Sequence, residues 1–305
     1  MGCPIRLWFA ASVQIGLRFC DQIKLRKYMQ NMDGEFAGKV VVVTGAGGGL
    51  GRSHALEFAR RGACVVVNDL GGAIDGSGSG HTAQTVVDEI HAAGGSAVAS
   101  THSVASEASA AEIVAVAVES YGTIDIVVNN AGILRDKTFA NLTMKNFRAV
   151  LDVHLLGAVY VTHAAWPILA KKGWGRVVLT ASESGLFGTF GQSNYAAAKM
   201  GLIGLMNVLQ LEGGRKGIRV NCLVPAALTR MTESLPGGAH RGNPQQVSPA
   251  VLYLSSEGAP NGVIMQASSG KFSILKMQRG EEIDLGDDCD YEKFSRAASQ
   301  ILDDV

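Results

Sequence analysis

The chain has 305 residues, 47% hydrophobic and 18% charged, so it can bury a large core and is too apolar for a disordered chain. Its 27 lysines and arginines balance 27 aspartates and glutamates, which leaves no electrostatic case for a nucleic-acid partner. The five cysteines (Cys3, Cys20, Cys64, Cys222 and Cys289) have neither close pairing nor zinc-ligand spacing, so reduced thiols and no metal are expected.

Residues 1–35 read as an extension outside the fold. The stretch 5–20 is apolar but interrupted by Arg6, Gln14 and Arg18, short for a membrane span and without a clean small-residue cleavage site. Gly2 and Cys3 suit a lipidation start, yet Arg6 stands where Ser or Thr is wanted. No stable membrane insertion is expected. The cytoplasm is the expected compartment, with an organelle address in this basic segment as the alternative.

Val40, Val41, Val42 and Val43 form a continuous β-branched run, as in a central parallel strand covered on both faces. A glycine turn over 47–51 and a helix over 52–61 follow, closed by Gly62. Residues 64–68 are the second strand, completing a βαβ unit. A glycine-rich loop (71–80), a helix (82–93), a short strand (97–101), a helix (105–121) and a strand (124–128) come next. The second half repeats the alternation: a long helical region (143–172) kinked at Pro167, a strand (175–180), a helix (195–213) and a strand (218–223). The order predicts an α/β fold, a single Rossmann-like doubly wound parallel sheet with helices on both faces. Residues 36–270 read as one domain and 271–305 as an acidic tail, helical from 291 to 302.

Gly45, Gly49 and Gly51, with Leu50 between the last two, lie directly after the first strand and open the first helix. A tight turn, close approach to a pyrophosphate and tight helix–sheet packing each exclude a Cβ, and the helix N-terminus offers free N–H groups. Asp69 ends the second strand, where a carboxylate accepts from an adenosine ribose and repels a 2′-phosphate. NAD is therefore expected over NADP, although the Arg52 guanidinium is close enough in sequence to hold an extra phosphate. A turn-forming role for Asp69 is compatible with the same position.

Tyr195 and Lys199 stand at i and i+4 on one helix face. A phenol ionises near ~10, and a neighbouring cation lowers that value enough for proton exchange with an alcohol or ketone.

With the glycine turn, Asn129 to Gly132, Ser182 and the Tyr195–Lys199 pair, the chain resembles the short-chain dehydrogenase/reductase family over about residues 36–270. The resemblance implies that Ser182 holds the substrate oxygen, Tyr195 transfers the proton, and Lys199 binds the nicotinamide ribose and tunes Tyr195. It implies that Asn130, Ala131 and Gly132 line the cofactor. His154 stands where the family usually has a relay asparagine. That histidine and the segments around Asp69, Arg135 and Gln192 resemble the hydroxyacyl-CoA dehydrogenase branch, that of peroxisomal multifunctional enzyme type 2 and its free-standing bacterial relatives.

The implied activity is NAD-dependent oxidation of a 3-hydroxyacyl-CoA to the 3-ketoacyl-CoA, in lipid metabolism. A steroid or other hydrophobic alcohol is the alternative substrate, and a non-catalytic dinucleotide-binding protein the alternative of another class. Substrate choice is expected from residues 186–192 and 231–246. A homodimer or homotetramer through the helices near 149–171 and 195–213 is implied. Three departures from the family pattern stand out: His102 where an aspartate meets adenine, Pro225 and Ala226 in the loop after strand six, and Glu183 beside Ser182.

Overall fold

A computed structural model describes residues 34–228 and 242–302. Most of the expected N-terminal extension, the segment 231–241 and the last three residues lie outside the described residues, so the expectations placed on them rest on sequence.

The elements in chain order are β1 (Val40–Thr44), α1 (Gly49–Arg60), β2 (Cys64–Asn68), α2 (Thr82–Ala92), β3 (Ser96–Ser100), α3 (Glu107–Tyr121) and β4 (Ile126–Asn129). Then come α4 (Met144–Leu151), a π-helical turn (Asp152–Leu156), α5 (Gly157–Lys172), β5 (Gly175–Thr180), α6 (Glu183–Phe187) and α7 (Ser193–Gly214). The last elements are β6 (Ile218–Ala226), α8 (Ser248–Ser255), β7 (Ile264–Ser268), β8 (Lys271–Leu275) and α9 (Tyr291–Leu302).

The strands form one sheet in the order β3-β2-β1-β4-β5-β6-β7-β8. Neighbours from β3 to β7 pair in parallel. The order reverses between β1 and β4, the topological switch point at which doubly wound sheets hold ligands. Every residue of β1, β4 and β5 is buried, the cause of their unbroken apolar runs.

Three features depart from the sequence reading. The sheet is not wholly parallel: Ser269 and Gly270, both at positive φ, make a two-residue turn that returns the chain as β8 along the edge. Pro225 and Ala226 belong to β6 rather than to a loop, opposite Ala267 and Ser268 of β7. Pairing with β5 ends at Leu223, so Pro225 has a neighbour on one side only, where a proline is tolerated. Finally, the long helix leaves α geometry at the π turn carrying His154, and Pro167 sits within α5 without ending it. Valines and alanines of α5 such as Val161 and Ala165 are buried, so its apolar composition serves the core.

Two buried charges fix the lower edge of the sheet. The Asp125 carboxylate accepts from the Val40 N–H at 2.9 Å and pairs with Lys172. Arg176 donates to the carbonyls of Ser256 and Gly175, each at 2.8 Å. The described residues divide into two compact units between Ile274 and Leu275. Within the second, Asp290 caps α9 by accepting from the Lys293 N–H at 2.7 Å.

Candidate active site

A cleft of about 380 Å³ opens at the carboxyl ends of β1, β2 and β4. Gly45, Gly49, Leu50, Asp69, Asn130, Ala131 and Gly132 all line it, as does His102 beyond the end of β3. A Cβ on Gly51 would lie 2.2 Å from the Gly45 carbonyl oxygen, so only glycine lets α1 start so close to the turn. Thr44, which begins the glycine motif but has no role assigned from sequence, holds this floor together. Its hydroxyl accepts from the N–H groups of Asn130 and Ala131 at 3.0 and 3.1 Å, while the Asn130 amide donates to the Thr44 and Gly45 carbonyls.

Asp69 has more internal partners than a ribose-binding carboxylate needs. One oxygen accepts from the Gly47 N–H at 2.8 Å, the other from the Gly71 N–H at 2.6 Å and the Thr82 hydroxyl at 3.3 Å. The carboxylate thus fixes the glycine turn and the next loop while lining the cleft. Arg52 pairs with Glu89 of α2, which occupies the guanidinium that the sequence offers to an extra phosphate. His102 is tied back through its carbonyl, which accepts from Asn68 at 2.9 Å, and through Nδ1, 3.3 Å from the Ser100 hydroxyl.

Ser182, Tyr195, Lys199 and His154 come from the end of β5, α7 and the π turn and converge beside this cleft. The Ser182 hydroxyl is close enough to the Tyr195 phenol to bear on its ionisation. Ser182 also caps α6, accepting from the Ser184 N–H at 3.2 Å. Lys199 is buried, its ammonium donates to the Thr180 carbonyl, and it lies 5.5 Å from the Tyr195 ring centre. Burial holds that ammonium down to about 7.

The expected lowering of the tyrosine does not occur in this geometry. Burial pushes the Tyr195 phenol up to about 12; the Ser182 hydrogen bond pulls the other way, and the Asp136 carboxylate adds to the rise. The reason is positional, because the lysine ammonium faces a carbonyl and the ring rather than the phenol oxygen.

His154 packs edge-to-face on Tyr195, with ring centres 5.0 Å apart. Its Nε2 lies 2.8 Å from the carbonyl oxygen and 3.0 Å from the nitrogen of Ile133. Burial, and then the Lys199 charge, keep the imidazole well below its usual range and therefore neutral. A Cβ on Gly132 would meet His154 Cε1 at 2.3 Å, so the glycine makes the room this ring occupies. A small cavity of about 10 Å³ lies among Thr44, Asn129, His154 and Lys199.

Residues 133–136, which enter the sequence analysis only through a resemblance, form the crossbeam of the site. Ile133 holds His154, the Arg135 carbonyl accepts from the Asn194 amide at 3.1 Å, and Asp136 accepts from Gln192 at 2.6 Å. Gln192 in turn accepts from the Ser184 hydroxyl at 2.9 Å. An arginine and an aspartate directly after a strand are the available signal. Glu183, by contrast, turns away from Ser182 and accepts from Gln266.

The short chain dehydrogenase family profile matches residues 39–237. The chain belongs to that family. A short-chain type dehydrogenase/reductase of Mycobacterium tuberculosis is 51% identical over 76% of the chain and 83% of its own length. Peroxisomal multifunctional enzyme type 2 of Drosophila melanogaster is 46% identical over 83% of the chain, which spans only 43% of that enzyme. The M. tuberculosis hydroxyacyl-CoA dehydrogenase ChsB1 is 44% identical over 74% of the chain and 75% of its own length. Among solved structures, a 7α-hydroxysteroid dehydrogenase complexed with NADH and 7-oxo glycochenodeoxycholic acid superposes with a TM-score of 0.71 at 29% identity, over 79% of this chain and 96% of that one. As a short-chain dehydrogenase the chain is an oxidoreductase that acts on hydroxyl groups and binds a nicotinamide dinucleotide.

Proposed function

We propose that the protein interconverts a 3-hydroxyacyl-CoA and its 3-ketoacyl-CoA with NAD as cofactor. The observation that carries the reading is the convergence of Ser182, buried Lys199 and His154 on Tyr195, with His154 packed against Gly132 of the cleft. In the oxidative direction the substrate hydroxyl is held by Ser182 and loses its proton to the Tyr195 oxygen. A nicotinamide dinucleotide, when bound, would supply the acceptor for the hydride of that carbon. Lys199 supplies positive charge under the reacting atoms, and neutral His154 holds Tyr195 in place through their ring contact.

NAD is preferred over NADP in this reading, because Asp69 lies in the cleft and Arg52 is engaged by Glu89. The acyl-CoA is favoured by relatives named for that chemistry, and by Phe187 and Phe190, exposed in the segment between Ser182 and Tyr195, which suit an apolar chain. A bile-acid-like steroid is the second reading, favoured by the ligand in the superposed hydroxysteroid dehydrogenase. Exposed Met200, Val208 and Leu211 on α7 support association of two or four copies. The free thiols Cys64, Cys222 and Cys289 support a reducing compartment, with the cytoplasm as our proposal.

NADH formation followed at 340 nm with (3R)- and (3S)-hydroxyacyl-CoAs and a set of steroid alcohols tests the substrate. Turnover of a hydroxyacyl-CoA at least tenfold more efficient than that of any steroid is the expected result; the reverse order would move the assignment to steroids.

A further inference from the structure

The glycine-rich loop between β2 and α2 was expected only as a connection, but its course is unusual. It leaves β2, and its neck is closed by the Gly80 N–H donating to the Leu70 carbonyl at 3.0 Å. Asp69 pins the same neck through the Gly71 N–H. The tip is folded on itself: Ala73 N–H donates to the Ser77 carbonyl at 2.7 Å, Gly76 N–H to the Ala73 carbonyl at 2.9 Å, and Ser77 N–H to the Asp75 carboxylate at 2.9 Å. Loops closed at the neck and packed on their own residues in this way behave as units.

The tip does not stop over β2. The Ile74 carbonyl accepts from the Leu134 N–H at 2.9 Å, and the Asp75 carbonyl accepts from Arg135 Nε at 2.9 Å, both donors lying just after β4. Gly76 stands against Ile133, since a Cβ there would meet Ile133 Cγ2 at 3.0 Å. A second arm of the Arg135 guanidinium donates to Asn146 of α4 at 3.2 Å, so the side chain is held from behind. In the sheet, β1 lies between β2 and β4. A loop rooted at β2 and latched after β4 therefore crosses above the end of β1, where the glycine turn begins. Gly72, Ala73, Ile74 and Gly76 share the lining of one cleft with Gly45, Gly49 and Leu50.

We propose that residues 70–80 are a strap over the dinucleotide, that Arg135 is its latch, and that the strap must open for the cofactor to enter or leave. Arg135 is a positioning residue here: it acts on the strap and not on the reacting atoms. The inference rests on the cleft being the dinucleotide site. The latch is two hydrogen bonds at an exposed tip, weak enough to break during each exchange yet able to slow it.

The test is the exchange rate of NADH, read by its fluorescence in stopped flow, with bound NADH displaced by excess NAD. Arg135→Met removes the side-chain bond of the latch, leaves the backbone bond from Leu134, and keeps most of the side-chain stem. Gly76→Ala leaves the charge unchanged but adds a methyl against Ile133 at φ +83, lifting the tip. In both variants NADH should leave at least about fivefold faster, the effect of losing one ordinary hydrogen bond, with association unchanged or faster. Dissociation within twofold of the starting protein in either variant would overturn the strap, because a gate must respond to both. Acceleration in Arg135→Met alone would place the guanidinium on the cofactor instead. Failure of the unaltered protein to bind NADH would refute the dinucleotide reading itself.

Discussion

Gly132 is where the packing of the site makes its sharpest demand. An alanine methyl there would sit 2.3 Å from His154 Cε1 and 3.0 Å from both ring nitrogens. Ordinary contact needs more than an ångström beyond the shortest of these. The ring cannot step aside cheaply, since His154 is 3% exposed, pinned at Ile133 and packed edge-to-face on Tyr195. Overpacking of this kind costs about 1–3 kcal/mol, and losing the Ile133 contact adds about 1 kcal/mol. Gly132→Ala should therefore lose about 2–4 kcal/mol, read as a lower urea midpoint at unchanged m-value. Turnover should fall with it, because a displaced imidazole pushes on the Tyr195 ring. The partner variant isolates the cause. His154→Ala empties the space the methyl needs, so adding Gly132→Ala to it should cost less than about 0.5 kcal/mol, a strong departure from additivity. Additive losses in the double variant, or a single variant as stable as the starting protein, would refute the steric account.

Three further outcomes follow from the same geometry. Both His54, held by burial down to about 3, and His154, held well below its usual range, stay neutral in the fold while the unfolded chain protonates them near ~6.5. The unfolded state then binds more protons, so their contribution is complete above about pH 6.5 and is lost as the pH falls towards the folded values, at up to about 1.4 kcal/mol per pH unit for each. Urea midpoints between pH 7 and 5 should show this slope, and His54→Gln should flatten it. Asp69→Ala should narrow the preference for NAD over NADP in binding titrations. It should also cost about 1–3 kcal/mol of stability, since the Gly47 and Gly71 donors lose their acceptor. Tyr195→Phe should lower turnover at least about a hundredfold while NADH binding measured by fluorescence stays within a few-fold, as for loss of a proton-transfer group; near-normal turnover would remove Tyr195 from the chemistry.

Much of this was legible in the chain itself. Fully buried strands such as β1 and β5 write themselves as valine runs, and the glycine turn, Asp69, Ser182, Tyr195 and Lys199 are local signatures whose spacing along strand or helix fixes where they lie. The edge was harder to read. β8 is largely exposed, so no apolar pattern marks it, and β6 continues through a proline because only one neighbour remains.

The sequence by itself determined the doubly wound class and singled out the candidates for the cofactor end and for proton transfer, because these depend on periodicity and on residues close together in the chain. Tertiary structure alone decided what each group meets across the sheet. It placed His154 in a π turn against Gly132, turned the Lys199 ammonium to Thr180, gave Asp69 three internal donors, and laid the tip of the 70–80 loop on Arg135. All of those pairings but Asp69 with Gly71 join residues from about 13 to about 60 positions apart, and a spacing pattern carries no information about which distant groups a crossover brings together.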